Sequence, residues 1–228
     1  MNHIVGICFS WMSASDVGDK MIQEQLRKAL EDLRKEKKRN FDQTLDLIVN
    51  LQKFDVKKNQ INTFIRVPNK IKDKKIVGFL EVKRNDLDVI TPSEFKKFKD
   101  KKMLKKLVKK YDFFIAQANL MPQIASNFGR VLGPAGKMPS PQLGILTEVS
   151  DKVIEDAKSK VNRSIKVRIK QPSIKLIAGK YSMPDEKIIE NILTIYRSIL
   201  KILPREKENI KNLEVKFTMT KPVKIKVR

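Results

Sequence analysis

Residues 111–141 read YDFFIAQANLMPQIASNFGRVLGPAGKMPSP. The first part, Tyr111 to Gln117, is apolar and aromatic without alternation, the pattern of a strand covered on both faces, as in a parallel sheet flanked by helices. From Phe128 to Gly144 the chain carries four Gly and three Pro in seventeen residues, which predicts a shaped loop packed by Leu132 and Met138. Within it, Gly133-Pro134-Ala135-Gly136-Lys137 places Gly-rich backbone beside a lysine, as a phosphate cradle does. A Walker loop also needs Gly five residues before the Gly-Lys pair and Ser or Thr after it, and those positions hold Val131 and Met138. Nucleotide hydrolysis loses its main sequence support on that ground.

Working outward, KIVGFLEV and DLDVITPSEF supply two further short strands before this one, the second leading through Thr91-Pro92 into a helix. Only LEVKRNDL separates the strands, so the first crossover is expected to be a loop or a turn of helix. Glu94 to Lys110 holds nine lysines against Glu94 and Asp100, with Phe95, Phe98, Leu104, Leu107 and Val108 near helical spacing, and predicts one basic amphipathic helix. Phosphate binding and a merely solvated face are both open readings of it.

The flanks differ in pattern. Residues 20–38 repeat apolar positions from Met21 to Leu33 at spacings of three and four, predicting a helix capped by Asp16 or Asp19. RNFDQTLDLIVNLQKFD and INTFIRVP read as a strand pair, with Phe41, Leu45, Leu47, Val49 and Leu51 in alternation. After Thr147, SDKVIEDAKSKV is a helix, IKVRIK and SIKLIAG are strands, PDEKIIENILTIYRSILKIL is a long helix, and LEVKFTMT and PVKIKVR are closing strands. The fold class expected is therefore α/β (α+β) with two domains: a discontinuous α+β domain of residues 1–68 and 147–228 around an inserted, shortened Rossmann-like α/β domain, 69–146. The first twelve residues, apolar but without a basic segment or clear cleavage site, are read as a poorly ordered or wrongly assigned start, and 1–19 as disordered.

The 228 residues carry 38 Lys and 11 Arg against 26 acids, a formal +23. Such an excess points to a polyanionic partner, and no apolar run reaches the roughly 18 to 20 residues of a bilayer span. The insertion holds 17 basic and 7 acidic residues, net +10, leaving +13 outside it. One Cys (Cys8) and one His (His3) exclude an intrachain disulfide framework and make His-based metal sites and triads implausible. No catalytic constellation, metal or cofactor is expected, and a reducing, cytoplasmic setting fits.

Alternation in IKVRIK puts Lys166, Arg168 and Lys170 on one side of a strand, and VKIKVR repeats the pattern with Lys224, Lys226 and Arg228. One such strand is ordinary edge protection; two together favour a surface tracking an RNA backbone.

The 111–141 stretch resembles the signature region of the large-subunit ribosomal protein L1 family in its archaeal and eukaryotic form. RNFDQTLDLIVNLQKFD is similar to that family's N-terminal Asn-Phe-x-Gln/Glu-[ST] strand, and KFTMTKPVKIKV to its C-terminal Thr-Met-Gly strand. With GKYSMPDEKIIENI, the resemblance covers about residues 20–228. It implies a discontinuous RNA-binding domain and an inserted second domain. By the same resemblance, the chain would bind the mobile stalk of large-subunit rRNA as a monomer within the ribosome, assist release of deacylated tRNA from the exit site, and in some members repress its own mRNA.

Carried over, the family's RNA-contacting aromatic falls on Phe41 with Thr44 beside it, and its Thr-Met-Gly contact on Thr218, Met219 and Thr220. Thr220 departs from the family glycine, and its Cβ is expected to obstruct or shift a close backbone approach. The glycine loop is placed in the inserted domain facing the cleft, with Gly133, Gly136 and Lys137 as structural or secondary RNA contacts. Two other classes stay open: a non-specific nucleic-acid-coating architectural protein, and a nucleotide-dependent enzyme using the glycine loop.

Overall fold

A computed structural model describes residues 14–36, 39–56, 58–59, 61–83, 87–98, 100–147 and 150–226. The chain divides into two compact units, Met1–Asn69 with Val167–Arg228, and Lys70–Lys166. An insertion is thus present, but its second boundary lies at 166/167 rather than 146/147. The reason is packing: the helix that follows Thr147 buries Ile154 and Ala157 against Leu80, Ile115 and Leu146 of the inserted sheet.

In the terminal-derived unit, helix α1 (Ala14–Lys35) and strand β1 (Thr44–Leu51) are followed by β2 (Asn62–Arg66). After the insertion come the end of β7 (Ser164–Arg168), β8 (Ser173–Lys180), α5 (Asp185–Ile202), β9 (Ile210–Phe217) and β10 (Val223–Ile225). Residues 14–19, expected to be disordered, belong to α1, so neither Asp16 nor Asp19 caps it; the expectation for residues 1–13 lies outside the described residues.

Four strands form an antiparallel sheet in the order β10-β9-β1-β8. β1 and β2 do not pair as expected: β1 is a central strand between β8 and β9, while β2 joins β7 in a separate two-stranded sheet. Period-two alternation explains the central placement. Leu45, Leu47, Val49 and Leu51 are buried on one face, with Leu213, Val215 and Phe217 of β9 and Ile174, Leu176 and Ala178 of β8. Leu26, Leu30 and Leu33 of α1 and Ile188, Ile192, Ile195 and Ile199 of α5 are likewise buried, so each helix presents one apolar stripe. Asn191 is the polar exception in α5. Fully buried, it accepts the Asn69 amide proton at 3.0 Å and donates to the carbonyls of Asn69 (3.2 Å) and Ala178 (3.1 Å), fixing the chain where it leaves this unit.

The inserted unit is a parallel sheet in the order β4-β3-β5-β6, made of β3 (Ile76–Phe79), β4 (Asp88–Ile90), β5 (Phe113–Gln117) and β6 (Ile145–Leu146). The short β3–β4 crossover shows no helix among its described residues, as its length predicts. Helices α2 (Lys101–Lys110) and α3 (Met121–Ala135) share one apolar cluster with the sheet, in which Phe79, Phe95, Phe114 and Phe128 meet ring against ring, and α4 (Asp151–Asn162) shares another. The basic helix expected over 94–110 is two pieces, a 3-10 segment Pro92–Phe98 and then α2, because Asp100 stands at the N-cap with extended backbone.

The larger correction concerns the glycine-rich stretch. Its first part, Phe128 to Ala135, is helix: Ile124, Phe128 and Leu132 recur every fourth residue and are buried, and this apolar stripe outweighs the glycine and proline signals. A Cβ on Gly129 or Gly133 would meet nothing within 4 Å, so these glycines lie where no contact requires them. Pro134 sits in the last turn. Gly136, at φ 67°, ends the helix in the left-handed region, with the Lys137 amide bonded to the Leu132 carbonyl at 3.0 Å and the Gly136 amide to that of Gly133 at 2.9 Å. Only the segment up to Gly144 is loop.

Candidate nucleic-acid interface

At one end of the antiparallel sheet, the start of β1 meets the ends of β8 and β9. A bulge between Leu45 and Asp46 interrupts the pairing with β8 there. Thr44 and Thr218 close the sheet. The Thr218 amide donates to the Thr44 carbonyl at 3.1 Å, the Thr44 amide to the Thr218 Oγ1 at 3.2 Å, and the two hydroxyls lie 3.0 Å apart.

The next residue, Met219, donates its amide to Oε1 of Gln43 at 3.2 Å; Gln43 is itself buried, and its carbonyl accepts the Tyr181 amide at 2.8 Å. Thr220 completes a turn by accepting the Phe217 amide on Oγ1 at 2.9 Å while donating its own amide to the Phe217 carbonyl at 3.2 Å. Its backbone is not in the left-handed region, so a threonine stands here without strain, its hydroxyl turned into the bend. Phe41 and Met219 project from this frame, 52% and 57% exposed, large apolar side chains in water at the site where the resemblance places RNA contacts.

The frame is braced from behind. Arg34 donates to Asp185 through Nε (2.8 Å) and Nη2 (2.5 Å), reaches the Met183 carbonyl at 2.9 Å, and lies 4.9 Å over the Tyr181 ring, which packs edge-on against Phe217. Asp42 accepts the Ser182 amide and hydroxyl, both at 3.1 Å, and pairs with Lys180 at 3.3 Å. Desolvation pushes the Asp42 carboxyl up, but the Ser182 donors and Lys180 more than offset it and hold it below its ordinary value. Sequence reading missed Gln43, Arg34, Tyr181 and Asp42 as supports; the only signal was a polar residue, Gln43, at the alternation position between Phe41 and Leu45, just ahead of β1.

The second proposed group separates. Arg168 and Lys170 are exposed, as alternation predicts, whereas Lys166 is half-buried and donates through Nζ to the Gly136 carbonyl. Lys166 thus secures the end of α3, where carbonyls carry the negative pole of the helix, and it is not an exposed cation of a basic strand edge. Lys224 and Lys226 are exposed; Arg228 lies outside the described residues.

Gly133, Gly136 and Lys137 also sit at that helix end. Lys137 donates from Nζ to the carbonyls of Val108 and Tyr111, each at 2.7 Å, tying the end of α2 to the start of β5. A phosphate loop precedes a helix and offers N–H groups to the anion; this segment follows one, so its carbonyl end opposes phosphate. The nucleotide-hydrolysis reading fails on that geometry.

A family model described as the ribosomal protein L1p/L10e family matches residues 33–221. The large ribosomal subunit protein uL1 of Methanobrevibacter smithii is 36% identical over 216 residues, covering 90% of this chain and 100% of its own length. That of Nanoarchaeum equitans is 34% identical over 212 residues, covering 89% and 98%. The Thermofilum pendens protein is 36% identical over 218 residues, covering 90% and 92%. With the insertion, the parallel second sheet and this match over most of its length, the chain belongs to the ribosomal protein L1 family, a structural rather than enzymatic protein of the ribosome.

Proposed function

We propose that this chain, as a constituent of the large ribosomal subunit, binds the mobile stalk of large-subunit rRNA through the sheet end built by Phe41, Thr44, Thr218, Met219 and Thr220. The observation that carries this reading is the pair of exposed apolar side chains, Phe41 and Met219, on a frame whose own backbone groups are hydrogen-bonded. Such a surface suits recognition of RNA by packing on bases and sugars, which no duplex phosphate lattice requires. Exposed Arg168 and Lys170, just ahead of β8 and so toward the far end of the sheet from Thr44 and Thr218, offer separate phosphate contacts. The protein then acts as a monomer on the stalk, assisting release of deacylated tRNA from the exit site, and a similar structure in its own mRNA is the natural second ligand for translational repression.

Binding of a stalk rRNA fragment tests this. Phe41→Ala and Met219→Ala should each weaken it by about 1 to 3 kcal/mol, the range of stacking contacts. Unchanged affinity in a folded double variant rejects the site. The alternative, a non-specific nucleic-acid coat, is favoured only by the breadth of the +23 charge. An excess of unrelated duplex should displace the protein from stalk RNA only under that alternative.

A further inference from the structure

The inserted unit has a basin that the sheet-end reading leaves unused. Two cavities adjoin at the open edge of its parallel sheet, where β4 is the outer strand. One, of about 360 Å³, has apolar walls from Val89, Phe98, Met103 and Leu107. The other, of about 500 Å³, is rimmed by Lys75, Lys110 and Lys158. Both share Asp88, Tyr111 and Lys110 as a partition. Both volumes lie within the range of small-ligand sites.

The partition is ordered: the Tyr111 hydroxyl donates to Asp88 Oδ2 at 2.7 Å, and Lys110 Nζ stands 4.8 Å over the Tyr111 ring. The second cavity lies beside Ile76 and Asp88, the first residues of β3 and β4, away from the carboxyl ends where open parallel sheets usually take ligands, and the first runs along the length of β4. Met103 is 48% exposed although it forms part of the apolar wall.

We infer that this basin takes one unpaired nucleotide of RNA, with the base against Met103 and Phe98, the phosphate among Lys75, Lys110 and Lys158, and the ribose 2′-hydroxyl donating to Asp88. An apolar slot beside a cluster of ammonium groups matches the two halves of a nucleotide. A carboxylate between them opposes a phosphate and suits a hydroxyl donor, which selects RNA over DNA. A base in a double helix could not enter the slot, so the ligand is single-stranded. This rests on reading the protein as an RNA binder but not on the sheet-end site.

The probe is a short oligoadenylate, added to the isotopically labelled full chain while amide signals are followed. Shifts should concentrate in Asp88–Ile90 and Met103–Tyr111, and Lys110→Glu should weaken binding roughly tenfold or more, as loss of a phosphate contact and reversal of its charge require. Lys109→Glu makes the same charge change outside the basin and should weaken it far less. A base-free phosphodiester of equal length should bind roughly tenfold more weakly, as loss of stacking demands, and oligodeoxyadenylate more weakly than oligoadenylate.

Equal binding of the base-free chain, or equal effects of Lys109→Glu and Lys110→Glu, would each overturn the inference. In the Phe41→Ala/Met219→Ala double variant the oligoadenylate shifts in Asp88–Ile90 and Met103–Tyr111 should persist as in wild type, because neither residue lines the basin. If that variant also keeps stalk binding, the sheet-end site fails while this one stands.

Discussion

The backbone amide of Met219 donates to Oε1 of the buried Gln43 at 3.2 Å, so the more exposed of the two apolar side chains at the candidate RNA site is aimed by a side chain that RNA need not touch. Gln43→Leu keeps the bulk and removes that acceptor. Stalk RNA affinity is expected to fall severalfold, less than for Met219→Ala, with a stability loss of about 0.5 to 1.5 kcal/mol for the hydrogen bond. Filter binding and denaturant unfolding on the same preparation separate the two effects.

Lys137 is expected to matter for stability and not for RNA. Lys137→Met preserves the stem but leaves the Val108 and Tyr111 carbonyls without their charged donor, costing about 1.5 to 3 kcal/mol for a charge-assisted interaction. Unfolding followed by the ring signals of the inserted unit should show the loss while affinity for stalk RNA stays unchanged. A fall in affinity with no change in stability would make Lys137 an RNA contact instead.

Asn191→Leu is expected to destabilise the terminal-derived unit by about 1 to 3 kcal/mol, because the Asn69 and Ala178 groups lose buried partners. Equilibrium urea unfolding checks it, with Thr194→Ala on the same helix as an exposed comparison.

Two carboxylates make opposite contributions to acid stability. The lowered pKa of Asp42, set by Ser182 and Lys180 against desolvation, contributes stability that is present above the unfolded carboxylate range and lost as pH falls through the folded value. For Asp46 desolvation dominates over Lys216 and Lys175 and raises the pKa, so ionisation there lowers stability as pH rises. Asp42→Asn should therefore lower Tm at pH 7 and flatten the acid limb, and Asp46→Asn should raise Tm at pH 7. Melting curves between pH 3 and 7 on both variants read the two signs.

These residues show where sequence was sufficient. Strict alternation in β1 placed Leu45 to Leu51 on the core face, and the unbroken apolar run of β5 announced a doubly covered parallel strand. Pairing partners were not legible, because the hydrogen-bonding neighbour of β1 comes from residues some 130 positions away rather than from the adjacent β2. In α3, counting Gly and Pro hid the period of Ile124, Phe128 and Leu132. Neither the anchoring of Lys166 nor the specific tie made by Lys137 was legible, since a carbonyl acceptor at a helix end leaves no trace in residue type. The shift of the second boundary follows likewise from Ile154 and Ala157, whose partners are set by the tertiary fold.

The charge also divides differently once the boundary is moved. Lys70–Lys166 holds 22 basic and 11 acidic residues, net +11, leaving +12 of the +23 on the terminal-derived unit. The net charge is thus almost evenly split and does not by itself single out either unit as an RNA-binding surface.

The most direct test is the affinity of stalk rRNA for wild type and for Phe41→Ala/Met219→Ala, titrated with salt. The double variant should bind at least tenfold more weakly at every salt concentration, with an unchanged slope of log K against log salt, because apolar packing is removed and phosphate contacts are kept. Equal affinities, or a loss confined to a shallower slope, would contradict a sheet-end RNA site.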